Sequence, residues 1–203
     1  ENLSKALEYR DKQSKAAEDA DADMPDLDAK LDALQAVVGG TLSAHFHAHR
    51  ADDIVTAVRI AREFGLKLVV VHGTEGHLIA EELKEEGCPV LSGPLLCDRS
   101  KPELVPVITG PCLGDRSKPE LANMTLENPV LLQKAGVKIA ICTDHPEIPI
   151  QYLPLCAAMA VRAGMDEEDA LLAITLNAAQ ICGVDRRVGS LTPGKDADII
   201  VST

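Results

Sequence analysis

The chain has 203 residues, 46% of them hydrophobic and 26% charged, which supports a packed core and excludes the signature of disorder. Thirty-two acidic against 20 basic residues give a formal net charge of -12, which excludes a surface built to follow nucleic-acid phosphates. No run approaches the ~18 consecutive apolar residues of a membrane span, and residues 1–11 are charged and amphipathic rather than a signal peptide, so a soluble cytoplasmic protein is expected.

Residues 1–19 read as a helix and run into an acidic patch from Glu18 to Asp28, best read as a solvated connection. Residues 27–38 form a second predicted helix, stopped by Gly39 and Gly40. Short apolar runs then alternate with amphipathic helices. Strands are predicted at 42–48, 67–72, 89–96 and 138–143, and helices at 52–64, 75–86, 127–135, 150–163 and from Asp166 onward. Asp166 with Asp169 three residues later has the spacing of a capping box. Four of these helices end in glycine (Gly65, Gly87, Gly136, Gly164), as a helix C-terminus favours. Strand–helix alternation of this kind predicts right-handed βαβ units and a parallel sheet. With only Tyr9, Phe46, Phe64 and Tyr152 as aromatics, the core is expected to be aliphatic, as parallel strands prefer. Residues 188–201 predict two short strands about a Pro193–Gly194 turn.

Residues 89–104 return as residues 106–121 with 12 of 16 positions identical, a tandem copy of one strand and its following loop. Two copies compete for one place in the sheet, and loop closure grows slowly enough with length for the spare to be accommodated. Six cysteines with neither a CxxC pair nor metal-knuckle spacing read as buried thiols of a reducing compartment.

His45, His47 and His49 alternate along the first predicted strand, so a period of two sends all three to one face. His72 closes the next strand, where Leu68 and Val70 share its face, and Asp144 closes the last, just before His145 and Pro146. In parallel α/β architectures ligands gather at strand C-termini, where His47, His72 and Asp144 all arrive. Imidazoles and a carboxylate converging from separate strands suit a divalent cation, zinc being the natural choice, which lowers the pKa of a water and polarises a carbonyl while a carboxylate accepts the proton. Arg116 and Lys118, or Arg99 and Lys101 in the other copy, offer a substrate carboxylate a partner, with a solvated loop as the plainer reading. His77 reads as a surface or loop-anchoring residue.

The segments His47-Ala-His-Arg-Ala-Asp-Asp-Ile54, Val71-His-Gly-Thr-Glu-Gly-His-Leu-Ile79, Cys142-Thr-Asp-His-Pro146 and Val188-Gly-Ser-Leu-Thr-Pro-Gly-Lys-Asp-Ala-Asp198 together resemble the amidohydrolase superfamily, most closely its imidazolonepropionase-like branch. The resemblance implies an α/β fold of the (β/α)8 TIM-barrel type. The chain then corresponds to a partial barrel, strands five to eight, over residues 1–183, with the start of a small β-sandwich over 184–203. It also implies His47 and His72 as metal ligands, Asp144 as ligand and general base, and His49 and His145 as groups beside the metal or facing substrate. The first-strand His-x-His pair and the fourth-strand bridging group of the family are absent. The chain, starting without Met and stopping on a strand, is thus expected to be one half of a metal-dependent hydrolase of C–N bonds, weak or inactive alone. It would take a small-molecule substrate and pair with a second copy or a missing N-terminal half. Two other readings are a non-catalytic half-barrel that associates with itself or a partner, and a flavodoxin-like domain, which lacks the phosphate-cradling loop it needs.

Overall fold

The computed structural model describes residues 1–19, 23–93, 119–196 and 198–201. Arg99, Lys101, Arg116 and Lys118, with most of the second copy of the repeat, lie outside the described residues. The fold is α/β. Four parallel strands, β1 (Ala44–Ala48), β2 (Leu68–His72), β3 (Val90–Ser92) and β4 (Ile139–Ile141), lie in sequence order across one sheet. The first copy of the repeat supplies β3, between β2 and β4.

Helices α1 (Asn2–Glu18) and α2 (Ala29–Val38) pack together before the sheet. They are tied where Arg10 donates to Val38 O and Gln35 to Ala6 O. The acidic connection is exposed at Glu18, Asp19, Asp23 and Asp26, while Asp28 accepts from the Lys30 and Leu31 amides as the N-cap of α2. α3 (Ala51–Phe64), α4 (Ala80–Glu85, preceded by a 3-10 turn at Gly76–Ile79), α5 (Asn128–Ala135) and α6 (Leu153–Arg162) follow, and the glycines after or just beyond them all have positive φ. The predicted 75–86 helix thus divides into two pieces. α7 (Glu167–Ala173) is capped by Asp166, which accepts from the Glu168 amide. The capping box is only half made, since Asp169 instead accepts from Gln133 on α5 at 2.5 Å. α8 (Leu176–Ile181) was not separated from α7 by the sequence reading.

Alternation along the strands sorts side chains into two layers. Val70, Val90, Ile139 and Ile141 face the helices and join Ile54, Leu83, Leu132, Cys156 and Ala173 in the main core. Val69, Leu91 and Ala140 face the other way, where Ala178 and Ile181 of α8 cover one end of the sheet. Burial pushes the Cys88 thiol up to about 12 and the Cys142 thiol to about 11, against an ordinary 9.0. Above pH 9 the unfolded chain therefore ionises Cys88 while the folded chain keeps it protonated. Stability should fall by up to about 1.4 kcal/mol per pH unit between pH 9 and 12 from that thiol. Alkaline melts of the Cys88→Ala variant should lose this component of the slope.

The expected strands at 188–201 do not form among the described residues there. Ile199, Ile200 and Val201 are 60%, 93% and 89% exposed, and the segment is held instead by the Asp196 amide on Arg187 O and an Arg187–Asp196 ion pair. A lone hairpin with no sheet to join is marginal in water, which accounts for the difference.

Candidate metal centre

His47, His49 and His72 come together at the C-terminal ends of β1 and β2, with one potential ligand atom from each within 4.8 Å of the others. Ring centroids are 4.2 Å apart for His47 and His72, 4.6 Å for His49 and His72, and 4.9 Å for His47 and His49. His45, on the same face, is exposed and stands outside this cluster.

The register shows how His72 reaches it. His47 stands opposite Val71, and Ala48, which belongs to the helix-facing core, stands opposite His72. Alternation therefore assigns His72 to the helix-covered face with Val70, away from His47. The backbone breaks that alternation at His72, whose φ is +72°, in the left-handed region that non-glycine residues rarely occupy. Such a local strain has to be held by its surroundings. Here Gly73 N donates to Ala48 O and Glu75 N to His49 O, each at 2.9 Å, which continues the β1–β2 pairing past the turn. Gly73 must be glycine, with φ +52° and a would-be Cβ 2.8 Å from Val90 Cγ1.

Each of two histidines is oriented by a second group. His72 Nδ1 lies 2.5 Å from Gly93 O, and since a carbonyl only accepts, Nδ1 carries the proton and the ring's lone pair is on Nε2. His49 Nδ1 lies 2.7 Å from the hydroxyl of buried Thr74. Metal-binding imidazoles are oriented in this way.

Beneath the cluster, Asn128 is buried at the first turn of α5. Its amide donates to Gly73 O (3.0 Å) and Ser92 Oγ (3.3 Å), and its carbonyl accepts from His77 N (3.0 Å) and faces His77 Nδ1 (3.1 Å). His77 is thus a loop anchor. Glu75 accepts from Ala51 N at the start of α3 (2.8 Å), an acid at a helix N-terminus, and from Asn123 (2.7 Å). A cavity of about 270 Å³ opens beside His47 and His49, walled by Phe46, Asp53, Ile60 and Glu120.

Asp144, expected to close β4, lies instead in a turn three residues beyond its end, two residues after Cys142, whose amide donates to Ser92 O. It too has positive φ, +52°, and it is exposed with His145, outside the three-histidine cluster. The sequence placed His49 beside the site; the structure brings it into the cluster, 4.6 Å from His72 against 4.2 Å for His47. Asn128 and Gly93 carried no signal of a role at the site, and Thr74 entered only within the segment 71–79, its part in holding His49 being visible only once the fold brings them together.

The donor set fits a divalent cation. Ligand nitrogens around one zinc sit about 2.0–2.1 Å from it and hence roughly 3.4 Å apart, so three imidazoles already within 4.8 Å need little movement. A parallel α/β sheet with three histidines gathered at its strand ends could hold a metal ion, and comparison identifies the family. Residues 24–202 match the amidohydrolase family, and the chain belongs to it. Over 70 residues it is 43% identical to imidazolonepropionase of Geobacillus kaustophilus, covering 33% of this chain and 16% of that protein. Over 74 residues it is 38% identical to the Pseudomonas fluorescens imidazolonepropionase, covering 34% and 18%. The crystal structure of an amidohydrolase from Thermotoga maritima superposes with a TM-score of 0.82 at 40% identity, over 97% of this chain and 47% of that one. The matched region is thus less than a fifth of each of these curated relatives and about half of the solved structure. The family and this superposition imply a TIM-barrel fold.

Proposed function

We propose that the protein is a metal-dependent amidohydrolase that cleaves a C–N bond in a cyclic amide or peptide-like small molecule. The observation that carries this reading is the convergence of His47, His49 and His72 at the strand ends, in a chain of the amidohydrolase family. His47 and His72 would hold the cation, with His49 as a third donor or a neighbour that steadies it. When bound, a divalent ion such as zinc supplies Lewis acidity, lowering the pKa of a water towards ~7 and polarising the scissile carbonyl. The protein's own part is proton transfer and orientation. Asp144, in the turn after β4, takes the proton from the attacking water as the C–O bond forms and delivers it to the nitrogen as the C–N bond breaks. His145 beside it faces the substrate, and Arg116 and Lys118 are assigned to a substrate carboxylate.

Among the described residues, four parallel strands leave β1 and β4 as sheet edges, and a barrel has none. We propose that these edges pair with barrel strands from the rest of a longer protein or from a second copy, that residues 1–183 belong to the barrel and 184–203 to a β-sandwich. No helix among the described residues is long and apolar enough to cross a membrane. The thiols of Cys88, Cys142, Cys156 and Cys182, none in a disulfide, support a cytoplasmic setting.

Elemental analysis should find about one equivalent of zinc or a similar ion, and a panel of cyclic amides and dipeptides should reveal turnover in the intact protein. Asp144→Asn should lower kcat by roughly 10²–10⁴-fold, the range for loss of a general base. A metal-loaded protein that turns over no C–N substrate, or an Asp144→Asn variant as active as its parent, would refute catalysis by this route.

A further inference from the structure

We infer that Asn128 is the positioning residue for His72, a clamp whose one amide group ties together the two constraints that turn the ring towards His47. Its consequence for zinc rests on the metal-centre reading above; the clamp itself rests on the hydrogen-bond network.

Two constraints act on His72. Its backbone is held at φ +72° through the link to Gly73, and its Nδ1 proton is taken by Gly93 O. Neither glycine has a side chain with which to hold its own place. One hydrogen of the Asn128 amide goes to the carbonyl of Gly73, the residue after His72, and the other to the hydroxyl of Ser92, the residue before Gly93. Ser92 stands opposite His72 in the β2–β3 register, so the two arms of the clamp close around the same point of the sheet.

The amide cannot be turned over. A carbonyl only accepts and a backbone N–H only donates, so Nδ2 must face Gly73 O and Oδ1 must face His77 N. Asn128, Ser92 and His72 are all buried, so water is no ready substitute for a lost donor. Other bonds hold each arm separately: Gly73 N donates to Ala48 O, Gly76 N to Gly73 O, and Cys142 N to Ser92 O. What Asn128 adds is a side-chain tie between the arms. With that tie cut, Gly73 and Gly93 shift independently, and the His72 ring is released towards the face that strand alternation assigns to it.

Asn128→Asp in the full chain is the test, since it keeps the shape and the acceptor for His77 but removes both donors and sets an oxygen against Gly73 O. Zinc affinity, measured below the melting transition by competition with a chromophoric chelator, should fall by roughly 10–100-fold, the cost of an orienting partner. In heteronuclear NMR spectra of the metal-free protein, the His72 Nδ1 proton should be protected from exchange in the parent and lost in the variant. Met165→Ala truncates the main core outside this network and lowers stability, yet it should leave both readings at parent values. Ser92→Ala cuts one arm, and should weaken zinc by roughly 2–10-fold, what one neutral hydrogen bond supports; it decides the matter if Asn128→Asp does not fold. A His72 proton as protected in the clamp variant as in the parent overturns the inference, as does a loss of zinc affinity no greater than in Met165→Ala. A parent that binds no zinc, but whose His72 proton is lost in the variant, overturns the metal-centre reading and upholds the clamp.

Discussion

His72→Ala is expected to strip the protein of its metal, with affinity falling by more than the ~10–100-fold that loss of a mere orienting partner costs. The histidine is almost fully buried, its Nδ1 proton is committed to Gly93 O, and its backbone is held at φ +72° so that the ring turns towards His47. Alanine removes the one imidazole contributed by β2. Metal stoichiometry by elemental analysis, with a melt in the presence and absence of chelator, reads the result. Cation binding to the native state alone stabilises it by RT ln(1 + [L]/Kd), so the chelator-sensitive part of the melting temperature should vanish in the variant. His47→Ala should behave alike. His45→Ala, altering an exposed histidine of the same strand face outside the cluster, should retain the metal. Metal retained at full stoichiometry in His72→Ala would refute the assignment.

Asn128→Ala is expected to be the most destabilising polar substitution, by about 3 kcal/mol, from buried groups that each cost ~1–3 kcal/mol when left unpaired. The His77 amide loses its partner, the Gly73 carbonyl is left with the Gly76 amide alone, and the Ser92 hydroxyl loses a donor. For a chain of this length such a loss lowers the melting temperature by roughly 6–12 °C. Asn123→Ala removes a single exposed hydrogen bond to Glu75 and should shift it far less. Equal effects from the two asparagines would show that the buried network is not what joins β2, β3 and α5.

The strand–helix order was legible because aliphatic runs and glycine-ended helices are local patterns, and each of the four strands formed within its predicted run. The extent of the elements was less so. The 75–86 helix splits because its first turn is drawn into a 3-10 turn over Asn128, a contact 51 residues away in sequence. Of the site, the His-x-His spacing on β1 was plain, since alternation needs no tertiary information. The turning of His72 was not, for the period of two assigns it to the wrong face, and only the pairing of Gly73 and Glu75 with β1 beyond the strand end reverses that. Long-range partners such as Gly93, Thr74 and Asn128 become meaningful only after folding. The strands at 188–201 were misread because apolar content was visible there while the absence of a pairing partner among the described residues was not.

All three clustered histidines fall between residues 47 and 72, at the ends of two neighbouring strands joined by a single crossover helix. Contacts so close in sequence are the quickest to form. During synthesis the β1–α3–β2 unit emerges before β3 or β4, so the three imidazoles can draw near one another before Gly93 arrives to fix the His72 ring, and a cation captured at that stage would favour the nascent sheet before its remaining strands arrive.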